Sequence, residues 1–212
     1  MYQRQLEALI TFASADPYKE ELLKAKQGYF ARTGDIFEDD RSFEMRIASF
    51  LDYYVFDWPV SSVGRTPAQL YLDKGTLDEK DRAIVQGLTR TRHSLWEVRK
   101  IAPELVRLRD CFTGKDEDVF ERRQPAGLKK GDLIEARLIP VDGRHLFSPA
   151  FCFHPDDAKK AILKEIKRLK KMEPEFSRRE FIWSISGMRL KYDRYRNVSV
   201  KDIYAFDRER RG

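Results

Sequence analysis

The 212-residue chain reads as an α+β protein with a small N-terminal helical bundle over residues 1–92, a central five-stranded small β-barrel of SH3-like or OB-like type over 93–155, and a basic amphipathic helix with an aromatic and basic tail over 156–212. Three observations carry this. Apolar residues recur at helical spacing before His93, the period then shortens to two, and it lengthens again after His154-Pro155. The length suits one core with appendages, the three segments forming one unit.

Composition bounds the rest. Apolar content of 42% with 14 Phe, 9 Tyr and 3 Trp supplies ample material to bury, and the 36% charged residues mix both signs, so the chain folds. A membrane-spanning helix needs ~20 apolar residues, and the longest run is Tyr53-Tyr54-Val55-Phe56. The N-terminus carries Arg4 and Glu7 around Leu6, Leu9 and Ile10 and lacks the apolar core of a secretory signal, so a cytoplasmic location is expected. Cys111 and Cys152 sit in apolar strand-like segments, which suits reduced thiols better than a disulfide.

Taking the elements in order, Leu6, Leu9, Ile10 and Ala13 predict a first helix, and Asp16-Pro17 starts a second through Leu22, Leu23 and Ala25, ended by Gly28. Phe43, Ile47, Phe50, Leu51 and Tyr54 line one face of a third, which stops before Trp58-Pro59. Pro67–Leu72 and Glu79–Leu88 are two shorter helices. From His93, alternation around Trp96, Val106–Leu108 and Val119 predicts short strands parted by Ala102-Pro103 and Thr113-Gly114. Gly131-Asp132 opens a longer strand through Ile139, and Asp142-Gly143 is a two-residue hairpin turn, because both central positions tolerate positive φ. The return strand is Leu146–Phe153, with Pro140 and Pro149 at edges or bulges. Asp156 and Asp157 then form the acidic first turn of a helix with apolar positions Ala158, Ile162, Ile166 and Leu169, closed by Pro174. Beyond it, basic residues interleave with Phe181, Trp183, Tyr192 and Tyr195, and Arg208–Gly212 are expected to fray.

The segments Phe50–Asp57, Thr66-Pro67, His93–Val98, Val106–Asp110 and Gly131–Leu133 resemble a set of uncharacterised bacterial proteins, some of which also carry a Cys-rich SEC-C zinc motif. The likeness covers residues 40–155. It implies a bacterial cytoplasmic origin and the domain limits above, and no activity; without a Cys cluster the zinc site does not carry over.

Charge provides the functional expectation. Residues 1–92 carry 13 basic and 15 acidic side chains, 93–155 carry 11 and 10, and 156–212 carry 17 and 10, so the net +6 is C-terminal. Concentrated positive charge suits RNA or DNA, where neutralised phosphates release counterions and exposed rings can stack on bases. A non-enzymatic nucleic-acid-binding module is therefore expected, with Arg107, Arg109, Lys160, Lys164, Lys167, Arg168 and Lys171 as contacts. The bland alternative is a solvated helix face, with the tail aromatics packed on the barrel. A second hypothesis is a protein-interaction or regulatory domain using an exposed aromatic patch at Tyr53, Tyr54, Phe56 and Trp58. Remoter readings are a PilZ-like cyclic-dinucleotide binder, whose signature Asn197–Asp202 matches only in half, and a hydrolase. His93, His145 and His154 stand in no metal-binding spacing, Asp132, Glu135 and Arg137 lack a nuclease lysine, and Cys152 with His154 reads as a buried thiol beside a helix cap. No catalytic residue, metal or cofactor is expected.

Overall fold

The helical periodicity of the first third becomes five helices in the computed structural model, which describes residues 2–74, 77–121, 127–173 and 175–206. They are α1 (Tyr2–Ser14), α2 (Lys19–Thr33), α3 (Phe43–Asp57), α4 (Pro67–Leu72) and α5 (Glu79–Leu88). Gly28 does not end α2. Tyr29 and Phe30 are buried, and the helix runs on to seat them, stopping at Gly34, whose φ of 92° permits the turn and whose N–H bonds the Phe30 carbonyl. Thr66 and Gln69 form a reciprocal capping box before Pro67, which fixes the start of α4. The Arg46 side chain is buried and donates to the carbonyls of Thr33, Gly34 and Ser186, satisfying the end of α2 and tying it to the C-terminal part of the chain.

Five strands follow: β1 (Arg92–Ala102), β2 (Leu105–Asp110), β3 (Asp116–Phe120), β4 (Leu133–Val141) and β5 (Arg144–His154). Their hydrogen-bonded order is β1-β2-β3-β5-β4, and the β1·β4 pairing closes the sheet on itself; all contacts are antiparallel except β3·β5. At the β4–β5 hairpin Asp142 and Gly143 both have positive φ, 49° and 72°, as a two-residue turn of that kind requires. The β4·β5 register jumps from Ala136↔Phe151 to Leu138↔Phe147, so the bulge falls on Ser148-Pro149-Ala150, where proline costs no ladder bond. Pro140 lies past the last β1·β4 pair, Arg92↔Leu138.

Helix α6 (Asp156–Met172) is as expected, with Pro155 rather than His154 at its N-cap position; Pro174 and Arg208–Gly212 lie outside the described residues. The aromatic and basic tail is the main correction. Residues Arg178–Arg194 form a long helix, α7, capped by Ser177, and Val200–Ile203 a short α8. Helix α7 escapes a periodicity search because it is covered on several sides: Phe181, Ile182, Trp183, Ile185, Ser186, Met188 and Leu190 are all buried. Three buried clusters result. One joins the N-terminal helices to Ile139 and Trp183, one joins α6, α7 and Tyr204 to Leu95 and Leu133, and one fills the inside of the sheet around Trp96, Leu108, Ile134 and Phe147. The first two cross the segment limits at 92 and 155, so the three segments share cores.

Candidate functional site

The outer faces of β1 and β4 are covered rather than solvated, so their outward polar residues are enclosed. Glu135 and Arg137 point from β4 toward α3 and α7, and with His93 they line a cleft of about 300 Å³. Helix α3 contributes Ser49, Asp52, Tyr53 and Asp57; α7 contributes Arg178, Arg179, Trp183 and Ser186. Arg137 is the centre of its floor. Its side chain is only 3% exposed, ion-paired with Asp57 and 3.5 Å from Asp52, and it donates to the Thr91 hydroxyl at 2.9 Å. The approach to Asp52 is made by Nε, which completes no hydrogen bond among the described residues. The bulge in β5 places Ser148 so that its hydroxyl donates to Asp52. Burial pushes the Asp52 carboxyl up to about 6 even though Arg137 and Ser148 favour its charged form. The His93 ring is surrounded by protein yet reached by solvent through the cleft; that enclosure, then the Arg137 guanidinium, push it well below the ordinary imidazole value.

Behind the floor, Glu135 accepts from the Ser186 hydroxyl at 2.8 and 2.6 Å and pairs with His154 Nε2 at 3.0 Å, while His154 Nδ1 meets the Tyr204 hydroxyl at 3.1 Å. Burial opposes the Glu135 charge, but these hydrogen bonds and the two nearby imidazoles hold its carboxyl below the ordinary glutamate value. Cys152 is Glu135's cross-strand partner, and Glu135, Cys152 and His154 bring ligand-type atoms within 4.8 Å of one another, all buried. His154 is therefore committed to a carboxylate and not to the neighbouring thiol. Burial raises the Cys152 thiol well above its usual value, so it is not an activated nucleophile.

The residues singled out from sequence lie elsewhere and apart. Arg107 and Arg109 share the outer face of β2, as their spacing predicts, but each forms a two-pronged pair with its cross-strand acid, Asp118 and Asp116. Arg137 does not share that surface; it is buried in the cleft. On α6, Lys160, Lys164, Lys167 and Lys171 are exposed and take part in no ion pair found among the described residues, whereas Arg168 is held by Glu165 and Glu173. The exposed aromatic patch is overturned: Tyr53, Tyr54 and Phe56 are core residues at 9, 0 and 9% exposure, because α3 is packed between α2 and β5. Trp58 is half-buried and donates its indole N–H to Glu21. The tail rings Phe181 and Trp183 are buried too, and Tyr195 is exposed. His145 sits 3.3 Å from Glu117 at the partly exposed edge of the sheet. No helix among the described residues is long and apolar enough to cross a membrane.

A family model described as a family of unknown function (DUF7986) matches residues 18–183. No curated protein and no solved structure is significantly similar to the chain.

Proposed function

The chain belongs to that family of unknown function, which supplies no activity, and from its geometry we propose that it is a non-enzymatic nucleic-acid-binding module whose contact surface is the exposed face of α6. One observation carries this reading: Lys160, Lys164, Lys167 and Lys171 form a single unneutralised row. Their spacing of i, i+4, i+7, i+11 confines them to about 60° of arc at ~100° per residue, and they span about 16 Å at ~1.5 Å per residue. The buried positions Ala158, Ile162 and Ile166 occupy the opposite face, so the row is held outward. Lys159 is not part of it, because it is spent on Glu97 and the Gly131 carbonyl.

The sheet supports the same reading by analogy only. Closure in the order β1-β2-β3-β5-β4 with a parallel β3·β5 contact matches an OB-like barrel better than an all-antiparallel SH3-like one. OB barrels bind single strands across strands 2 and 3, yet here that face is occupied by the Arg107–Asp118 and Arg109–Asp116 pairs. The lysine row is the better electrostatic surface, and Arg107 and Arg109 are minor contributors.

Fluorescence anisotropy against a labelled single-stranded RNA across a salt series tests this. Four phosphate contacts give a log–log salt slope of about −2.8, and Lys164→Ala, Lys167→Ala and Lys171→Ala together flatten it by ~2, while Arg107→Ala with Arg109→Ala leaves it nearly unchanged. Absence of binding at low salt, or equal slopes for wild type and the lysine variant, overturns the proposal.

A further inference from the structure

We propose that the cleft between α3, α7 and the β1–β4 face is a second binding site, independent of α6, for a small phosphate ester that also carries hydroxyl groups. Two chemically different ends define the ligand. At the mouth, Arg178 and Arg179 lie in the exposed first turn of α7, whose Glu180 N–H is already capped by the Ser177 hydroxyl, so the positive charge there is that of the two guanidinium groups. Arg178 is free of carboxylate partners among the described contacts and stacks only on Phe112, and Arg179 reaches Asp57 loosely at 3.7 Å. Guanidinium groups in this state suit a phosphoryl group.

The floor asks for something different. Asp52 and Asp57 are acceptors aimed into the same space, and the buried Nε of Arg137, 3.5 Å from Asp52 Oδ2, faces that carboxylate without completing a hydrogen bond among the described residues, a state that costs free energy unless a ligand oxygen or water completes it. Adjacent acceptors beside one unsatisfied donor match vicinal hydroxyls, which can donate to the carboxylates and accept from the guanidinium. The charge balance excludes a cation. Arg92 is spent on Glu117 at 2.7 Å, which leaves Arg137, Arg178 and Arg179 facing Asp52 and Asp57, since the third carboxylate, Glu135, is committed to His154 and Ser186. A volume of about 300 Å³ admits a sugar phosphate or a mononucleotide.

Isothermal titration of the full chain with ribose 5-phosphate, AMP and inorganic phosphate tests the site, with Arg178→Ala/Arg179→Ala as the variant. Both arginines are exposed, so folding is preserved, and an unchanged melting temperature verifies it. Saturable binding of an ester is expected, at least about tenfold tighter than inorganic phosphate and weakened about tenfold or more by the double substitution. Tighter binding of AMP than of ribose 5-phosphate identifies the ester as a nucleotide, and equal binding identifies it as a sugar phosphate. No saturable binding of either ester at about 10 mM, or equal affinity for inorganic phosphate, overturns the site. Binding unchanged in the arginine variant but lost in the α6 lysine variant overturns it as well, and leaves the nucleic-acid proposal standing.

Discussion

Asp52→Asn isolates the electrostatic cost of the cleft. Asp52 is a buried carboxylate whose pKa in the folded chain is raised from 3.8 to about 6. A raised acid binds its proton more tightly when folded, so the group penalises folding only where it must ionise. The penalty is absent below pH ~4, grows between pH 4 and 6, and is complete above 6. At about 1.4 kcal/mol per tenfold, the gap amounts to ~3 kcal/mol at pH 7.5. Asparagine keeps the shape and still accepts from Ser148 but never ionises. The variant is therefore close to wild type at pH 4 and gains on it by ~3 kcal/mol, or about 6–12 °C in Tm at roughly 2–4 °C per kcal/mol, by pH 7.5. His93, Asp57, Glu135 and Arg137 face the same space, and His93 has the opposite dependence, losing stability as pH falls below ~6.5. Only the difference between the two proteins is diagnostic, read by urea or thermal denaturation at matched pH. Parallel stability curves from pH 4 to 7.5 refute the reasoning.

Gly87→Ala tests the closest approach of α5 to β4, since a Cβ there stands 2.0 Å from the Pro140 carbonyl oxygen. Overpacking against backbone costs ~1–3 kcal/mol or more and outweighs the ~1 kcal/mol helix preference for alanine, so Tm falls by several degrees; a rise in Tm means that the approach is looser. Glu135→Ala strips both acceptors from Ser186 and His154 and costs ~3–5 kcal/mol in denaturant titration, whereas Glu135→Gln costs less. Glu21 accepts from the Trp58 indole, the Ser61 N–H and hydroxyl, and Lys24, which hold its pKa at about 2 against burial. Its contribution is complete above pH ~4.5 and lost as pH falls toward 2, so Glu21→Gln destabilises at pH 7 and much less at pH 2.5, as acid titration of Trp fluorescence reports.

Elements that bury one face were legible from sequence. Helices α3, α4, α5 and α6 have the expected bounds because each has a polar side or a local stop, such as the Thr66 capping box or Trp58-Pro59. The β4–β5 turn was legible for an equally local reason, the positive φ of Asp142-Gly143. Helix α7 was not, because burial on several sides erases the polar stripe. The cleft failed for a related reason. Alternation along β4 puts Glu135 and Arg137 on the outer face of the sheet, a face that meets solvent in many antiparallel sheets, but here α3 and α7 cover it and both are interior residues. The one available signal is Asp52, the single charged residue in the otherwise apolar run Phe50–Phe56, and it identifies neither Arg137 nor His93.

The cleft also lies where the fold gains least from polarity. Its walls are anchored in different cores: α3 in the N-terminal cluster, Ile182 of α7 in the α6–α7 cluster, and the inner faces of β1 and β4 in the sheet cluster. An apolar filling at this junction would merge all three and remove the ionisation cost of Asp52, since buried ion pairs are commonly less stabilising than packed hydrocarbon. The chain instead holds a buried guanidinium beside two carboxylates, its Nε 3.5 Å from Asp52 and completing no hydrogen bond among the described residues, and leaves the space open to solvent. Such an arrangement opposes stability and favours binding, the trade expected of a ligand site. A ligand that satisfies Arg137 Nε should therefore raise Tm as it binds. The lysine row makes no comparable demand: neutralising it on RNA relieves like-charge repulsion along one exposed helix face and leaves the interior as it was.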